Sequence, residues 1–186
     1  PESAGAVELK NEISFLNELI SNLLLSDRLD LPYSKLETKE ATAIELVEKS
    51  IVTFNDYQKN KINVVSLKNI ANPLLVDITK IIVVIRNIVQ NSFKYADTDE
   101  GIKIILDKDE KNIFIKVRDY GPGIESEEAK HIFEPFFRAT NSKKISGIGL
   151  GLSISKKIMK SHRGNIKLKL GCNPGVEFCL VFPYKG

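Results

Sequence analysis

Cysteine and histidine are scarce in this 186-residue chain, with two of each. Cys172 and Cys179 have six residues between them and no third or fourth ligand at metal-binding spacing. That excludes a disulfide scaffold and a zinc site and leaves two reduced, structural thiols. Long apolar runs are missing as well. The nearest candidates, Leu23 to Leu25 and Ile81 to Ile85, fall far short of the roughly 18 to 20 residues a membrane-spanning helix requires, and charges bound them. No secretory signal opens the chain, whose first residues, Pro1 to Gly5, are small and polar. Such a chain is expected to be soluble, compatible with the cytoplasm and without direct membrane contact of its own. Nor does one sign of charge dominate: 27 Lys and Arg against 24 Asp and Glu leave a formal +3, too mild to imply a nucleic-acid partner. Two phosphate-binding signatures are also absent. No Gly-x-x-x-x-Gly-Lys-Ser/Thr loop occurs, and the glycine run at Gly147, Gly149 and Gly151 does not directly follow a strand, as a dinucleotide fingerprint would.

What is present suffices for one good core and an appendage, with 42% of residues hydrophobic. From Val7 to Leu29 apolar residues recur at Leu9, Ile13, Leu16, Ile20, Leu23 and Leu24, a spacing that predicts a long amphipathic helix ended by Asp30-Leu31-Pro32. The spacing therefore divides the chain into residues 1–30, a helix in need of a partner, and residues 31–186. Beyond the boundary the pattern predicts a short strand over Ser34 to Thr42 and a helix over Ala43 to Asn55. Extended segments follow near Ile62 to Leu67 and Pro73 to Val76, then a helix capped by Asp77 and running through Lys94. A hairpin, Ile102 to Leu106 and Ile113 to Arg118, precedes helices at Glu125 to Phe133 and Ile148 to Ser161, and strands at Asn165 to Leu170 and Val176 to Phe182 close the chain. Strands interleaved irregularly with helices favour a two-layer α/β (α+β) sandwich: a mixed, mostly antiparallel sheet of about five strands on three helices, preceded by the long N-terminal helix.

Four motifs stand in order: Asn87 to Asn91, Asp119-Tyr120-Gly121-Pro122-Gly123, Phe133-Glu134-Pro135-Phe136, and Gly147 to Leu152. On the first, Asn87, Asn91 and Lys94 share one helix face with Tyr95 at its margin. The carboxamide oxygen of Asn91 is a hard ligand suited to Mg2+ beside nucleotide phosphates. Asp119 ends a strand and enters a glycine turn that allows close approach. Its carboxylate only accepts, so it suits the amino group of adenine and repels the carbonyl of guanine. Phe133 and Phe136 form an aromatic anchor for the polar, cationic segment Arg138 to Ser146, which suits a lid over an anion. Arg138 is placed to fork onto a terminal phosphate, while Lys143 and Lys144 face solvent. Gly147, Gly149 and Gly151 lead into a helix whose first turn aims unpaired amides at phosphate, and Leu152 packs that helix down. Each motif alone fits a bland role as turn, rim or core. Their order carries the nucleotide reading.

That order resembles the ATP-binding domain of bacterial sensor histidine kinases, in the superfamily that also holds the gyrase ATPase and MutL. The resemblance implies that Asn91 holds the ion, Lys94 reaches the phosphates, Tyr95 lies over the adenine, Asp119 reads it, and Gly121 and Gly123 shape its pocket. Phe133, Phe136, Arg138, Gly147, Gly149, Gly151 and Leu152 are expected to complete the nucleotide site. Relatives that hydrolyse ATP place a glutamate base where this chain has Asn87. An amide cannot take a proton at neutral pH, so hydrolysis is disfavoured and phosphotransfer to histidine is favoured. Asn87, Lys94 and Arg138 are the expected catalytic set, with ATP and Mg2+ bound.

Neither His131 nor His162 has the surroundings of a phosphoacceptor. The residue 1–30 helix resembles the second helix of a dimerisation and phosphoacceptor hairpin whose first helix is missing, so the chain is expected to be a fragment unable to phosphorylate itself. The partners the resemblance implies are its own dimerisation domain, in a homodimeric parent, and a cognate response regulator. It is compatible with a cytoplasmic domain whose parent is anchored in the bacterial inner membrane. The alternatives are a regulatory module that senses nucleotide without phosphotransfer and a gyrase-type ATPase domain.

Overall fold

The computed structural model describes Gly5, Leu9, Ile13, Leu16, Leu19, Ile20, Leu24 and residues 36–96, 98–139 and 147–184. The described positions before residue 30 are helical, and Leu9, Ile13, Leu16, Ile20 and Leu24 are exposed. The continuity of the expected N-terminal helix and the boundary at residue 31 lie outside the described residues. Among those residues no helix is long and apolar enough to cross a membrane.

Strand β1 (Lys39–Ala41) pairs antiparallel with β3 (Leu74–Val76) in a small ribbon, and each strand hands the chain directly to a capped helix. Thr42 accepts from the N–H of Glu45 while Glu45 bonds back, a capping box that opens α1 (Ala43–Ile51). Asp77 accepts from the N–H of Lys80 and opens α3 (Ile78–Tyr95), as its sequence position implied. The helix expected to reach Asn55 stops at Ile51. Asn55 caps a second, unanticipated helix, α2 (Asp56–Asn60), by accepting from the N–H of Gln58.

The main sheet runs β2-β4-β5-β7-β6, where β2 is Ile62–Ser66, β4 Ile102–Lys108, β5 Asn112–Arg118, β6 Asn165–Lys169 and β7 Glu177–Pro183. Only β2 with β4 is parallel; the other three pairs are antiparallel. Alternation decides its buried face. Ile102, Ile104 and Leu106, then Ile113, Ile115 and Val117, then Phe178, Leu180 and Phe182 point inward. Against them lie α3, through Ile81, Val84, Ile85, Ile88 and Val89, and α5 (Gly151–Ser161), through Ile154, Ile158 and Met159; α1 packs on α3. This is the expected two-layer sandwich, each fully buried aliphatic side chain contributing roughly 1.5–3 kcal/mol.

Two helices are shorter than their patterns. In place of Glu125 to Phe133 only α4 (Ser126–Ala129) is helical. The N–H of His131 bonds back three residues to Glu128 and that of Glu134 to His131, tightening the chain ahead of Pro135, which has no N–H. α5 begins at Gly151 rather than Ile148, because Gly149 has φ +77°, a left-handed conformation no right-handed helix contains.

Candidate functional site

A cavity of about 580 Å³ opens between α3, the turn after β5, the start of α5 and the turn joining β6 to β7. That size suits a small-molecule ligand. Asn87, Asn91, Lys94 and Tyr95 all line it from α3, as their spacing on one face predicts. Asp119, Gly121, Gly123 and Arg138 line it from loops, and Gly147, Gly149, Gly151 and Leu152 from the glycine run. Twelve of the fourteen residues singled out from sequence thus converge on one space. The two others are placed differently. Phe133 packs edge-on against Phe178 with ring centroids 6.5 Å apart, and Phe136 is 61% exposed with φ +63°, so Phe137 takes the cavity wall. The lid beyond Ala139, with Lys143 and Lys144, lies outside the described residues.

Asp119 sits at the closed end, 5% exposed. Its Oδ1 accepts from the N–H of Gly121 at 3.2 Å and from that of Val176 at 3.1 Å, which leaves Oδ2 for a ligand. Burial pushes its carboxyl above the ordinary value, against those two N–H donors, which favour the charged form. Beside it the Ser92 hydroxyl, 2% exposed, lies close enough to lower the proton affinity of Asp119 but forms no hydrogen bond of regular geometry, and it too lines the cavity. An orphaned buried hydroxyl beside a half-satisfied carboxylate calls for a polar ligand or water.

Two contacts set this end of the cavity. A Cβ on Gly121 would stand 2.3 Å from that of Ala96, so the turn seats directly on the end of α3. A Cβ on Gly175, where φ is +89°, would stand 2.0 Å from the Asp119 carbonyl oxygen, so the β6–β7 turn lies over Asp119. Ser92 and this turn went unread in the sequence. Ser92 falls on the core face of a helix, where a small residue carries no signal, and Cys172-Asn173-Pro174-Gly175 reads only as a turn.

The other end is polar and cationic. Leu150, the residue preceding α5, makes no side-chain cap, so among the described residues no N-cap side chain satisfies the first-turn amides of that helix. The glycine run is held from beneath: the N–H of Phe136 donates to the Gly149 carbonyl at 3.0 Å. A Cβ on Gly151, by contrast, would meet only the Asn87 side chain, at 3.5 Å or more. Among the described residues these contacts leave room for a side chain at that position. Lys94 points the same way, with Nζ 3.6 Å from where a Gly147 Cβ would be.

Among the described residues no group of three or more His, Cys, Asp or Glu side chains could hold a metal ion. Oxygen ligands for one would come from Asn91, bound phosphate and water. His131 is exposed and paired with Glu134, while His162 is locked at both nitrogens, donating from Nδ1 to the Ile158 carbonyl at 2.8 Å and accepting at Nε2 from the Asp77 N–H at 3.0 Å.

Residues 76–186 match the family described as histidine kinase-, DNA gyrase B- and HSP90-like ATPase. The sensor histidine kinase YvrG of Bacillus subtilis (strain 168) is 29% identical over 97% of this chain and 31% of its own length. The histidine kinase ThkA, solved in complex with the response regulator protein TrrA, is 28% identical, with a TM-score of 0.71 over 96% of this chain and 50% of that one. Full-length ShkA, solved in complex with AMPPNP, shares the fold at 20% identity, with a TM-score of 0.81 over 97% of this chain and 38% of that one. The chain spans only 13% to 35% of the length of three curated relatives it matches.

Proposed function

The chain belongs to the histidine kinase-, DNA gyrase B- and HSP90-like ATPase family, and from that premise we propose that it is the ATP-binding kinase domain of a two-component sensor histidine kinase. The observation that carries the reading is the convergence on one cavity of Asn91 and Lys94, Asp119 and the uncapped first turn of α5. Asp119 accepts from the adenine amino group through Oδ2, and the Ser92 hydroxyl joins it directly or through water. Tyr95 forms the rim over the base. At the far end the α5 amides, Lys94 and Arg138 bind phosphate oxygens, and Asn91 supplies the protein ligand for Mg2+. The ion, when bound, neutralises charge on the phosphates.

The reaction transfers the γ-phosphoryl group to a histidine nitrogen on a dimerisation domain: the bond from γ-phosphorus to the bridging oxygen breaks, a phosphorus–nitrogen bond forms and ADP leaves. The attacking nitrogen brings its own lone pair, so Lys94, Arg138 and the helix amides need only position and neutralise. A response regulator then takes the phosphoryl group, a reading supported by the ThkA–TrrA complex. The parent would be a homodimer, compatible with anchoring at the bacterial inner membrane.

Isothermal titration calorimetry tests the binding. Mg·ATP is expected to bind and Mg·GTP at least tenfold more weakly, and Asn91→Ala should abolish the gain in affinity that Mg2+ confers. Equal binding of GTP would sink the role of Asp119, and an Asn91→Ala variant with undiminished Mg2+ dependence would sink the metal assignment.

A further inference from the structure

The Asn87 carboxamide is held by protein on its nitrogen side. Nδ2 donates to the Gly151 carbonyl at 3.1 Å and to the Ser155 hydroxyl at 3.3 Å, and Ser155 in turn donates to the same carbonyl at 2.8 Å. A carbonyl can only accept, so the nitrogen must face α5, with both its hydrogens in use and Oδ1 turned away. Ser155 is 0% exposed, so water does not substitute for its hydroxyl. Gly151 is the first residue of α5, and Asn87 stands one helical turn before Asn91 on α3. The tie therefore joins the helix carrying the metal ligand to the phosphate-facing turn. A glutamate at 87 would set an acceptor against the Gly151 carbonyl and could not make it.

Resting on the nucleotide reading above, we infer that Asn87 and Ser155 act together as positioning residues, holding the uncapped first turn of α5 at the distance from Asn91 that a metal-bound triphosphate spans. Asn87 is then neither a base nor a group idle for want of a carboxylate. The adenine end is built separately, from Asp119, Ala96, Gly121 and the β6–β7 turn. Loosening the tie should thus weaken binding of the triphosphate and spare that of the nucleoside.

The test is calorimetry of Mg·AMPPNP and of adenosine on the unaltered chain, Asn87→Ala, Ser155→Ala and the double variant. Each single change is expected to weaken AMPPNP about tenfold, the size of one hydrogen bond in a low-dielectric site, with adenosine affinity within about twofold. The double variant should fall short of the sum of the two single losses, because both changes remove the shared Asn87–Ser155 hydrogen bond. Folded variants that bind AMPPNP as before, or lose AMPPNP and adenosine in equal measure, overturn the inference, as does full additivity in the double variant. If Asn87→Ala does not fold in circular dichroism melts, the Ser155→Ala comparison decides alone. Failure of the unaltered chain to bind either ligand overturns the nucleotide reading instead.

Discussion

A methyl group added at Gly175 would stand 2.0 Å from the Asp119 carbonyl oxygen, on a backbone with φ +89°, whereas one added at Gly151 would meet nothing nearer than Asn87 Cγ at 3.5 Å. One glycine serves the fold; the other, on the proposed function, serves the ligand. Gly175→Ala carries the left-handed penalty of roughly 1–2 kcal/mol in addition to the displacement of Asp119. Urea denaturation should show a loss of at least about 2 kcal/mol. Gly151→Ala should leave stability within about 0.5 kcal/mol and reduce Mg·ATP affinity, and a variant that unfolds without losing affinity would reverse the assignment. The sequence distinguishes these two poorly, since both are glycines at turns. Asp119 was legible only through the order of the four motifs, since Asp before Gly-x-Gly alone fits an ordinary turn; Ser92 was not, because a serine on the core face of a helix has many uses.

At the scale of elements, the start of α3 is tied to the end of α5. Asp77 caps α3, pairs with Lys80, accepts from the Glu37 N–H and donates its own N–H to His162. Burial pushes the Asp77 carboxyl up, but the Lys80 ammonium and the N–H groups of Lys80 and Glu37 outweigh it and hold the carboxyl below its ordinary value. Burial holds the His162 imidazole below its ordinary 6.5 despite the Ile158 carbonyl and Asp77, and Lys80 adds to the lowering. Protonation would also remove the acceptor that Asp77 uses. The unfolded chain therefore binds the proton more readily than the folded one, so the His162 contribution is complete above pH 6.5 and is lost as pH falls through the lower folded value. Urea denaturation should show stability declining from pH 7.5 to 5.5 in the unaltered chain and a flatter profile in His162→Gln; equal slopes would remove His162 as the cause. Element types were readable here from periodicity, and the Asp77 cap from its chemistry. The ends of α1, α4 and α5 were not, because the Asn55 cap, the tightening before Pro135 and the left-handed Gly149 all cut short apolar patterns that continue past them.

For the whole molecule, the cavity is assembled from segments far apart in sequence, and its legibility follows that distance. The α3 face could be read because four residues on one helix fix their own relation, and the glycine run because it leads directly into α5. The closure of Asp119 by Val176, 57 residues later, could not, since strand order in the β5-β7-β6 part of the sheet alone brings them together. The same separation of parts bears on the proposed phosphotransfer. His162 is engaged at both nitrogens, His131 is on the surface with Nδ1 bonded to Glu134, and neither lines the cavity. On the proposed function, a histidine from another domain would enter from the side where Lys94, Arg138 and the α5 amides meet. Adding a separately produced hairpin that bears the parent protein's acceptor histidine should therefore give label transfer from γ-32P-ATP to the hairpin, and the label should be acid-labile and base-stable as a phosphohistidine is. Arg138→Ala should slow that transfer by about tenfold or more, the scale for losing a charge-assisted contact to the transferring group, while adenosine binding is unaffected. Label appearing on this chain with no hairpin present would instead make His131 or His162 an acceptor, and a verified complex that transfers nothing would leave a domain that binds ATP without donating from it.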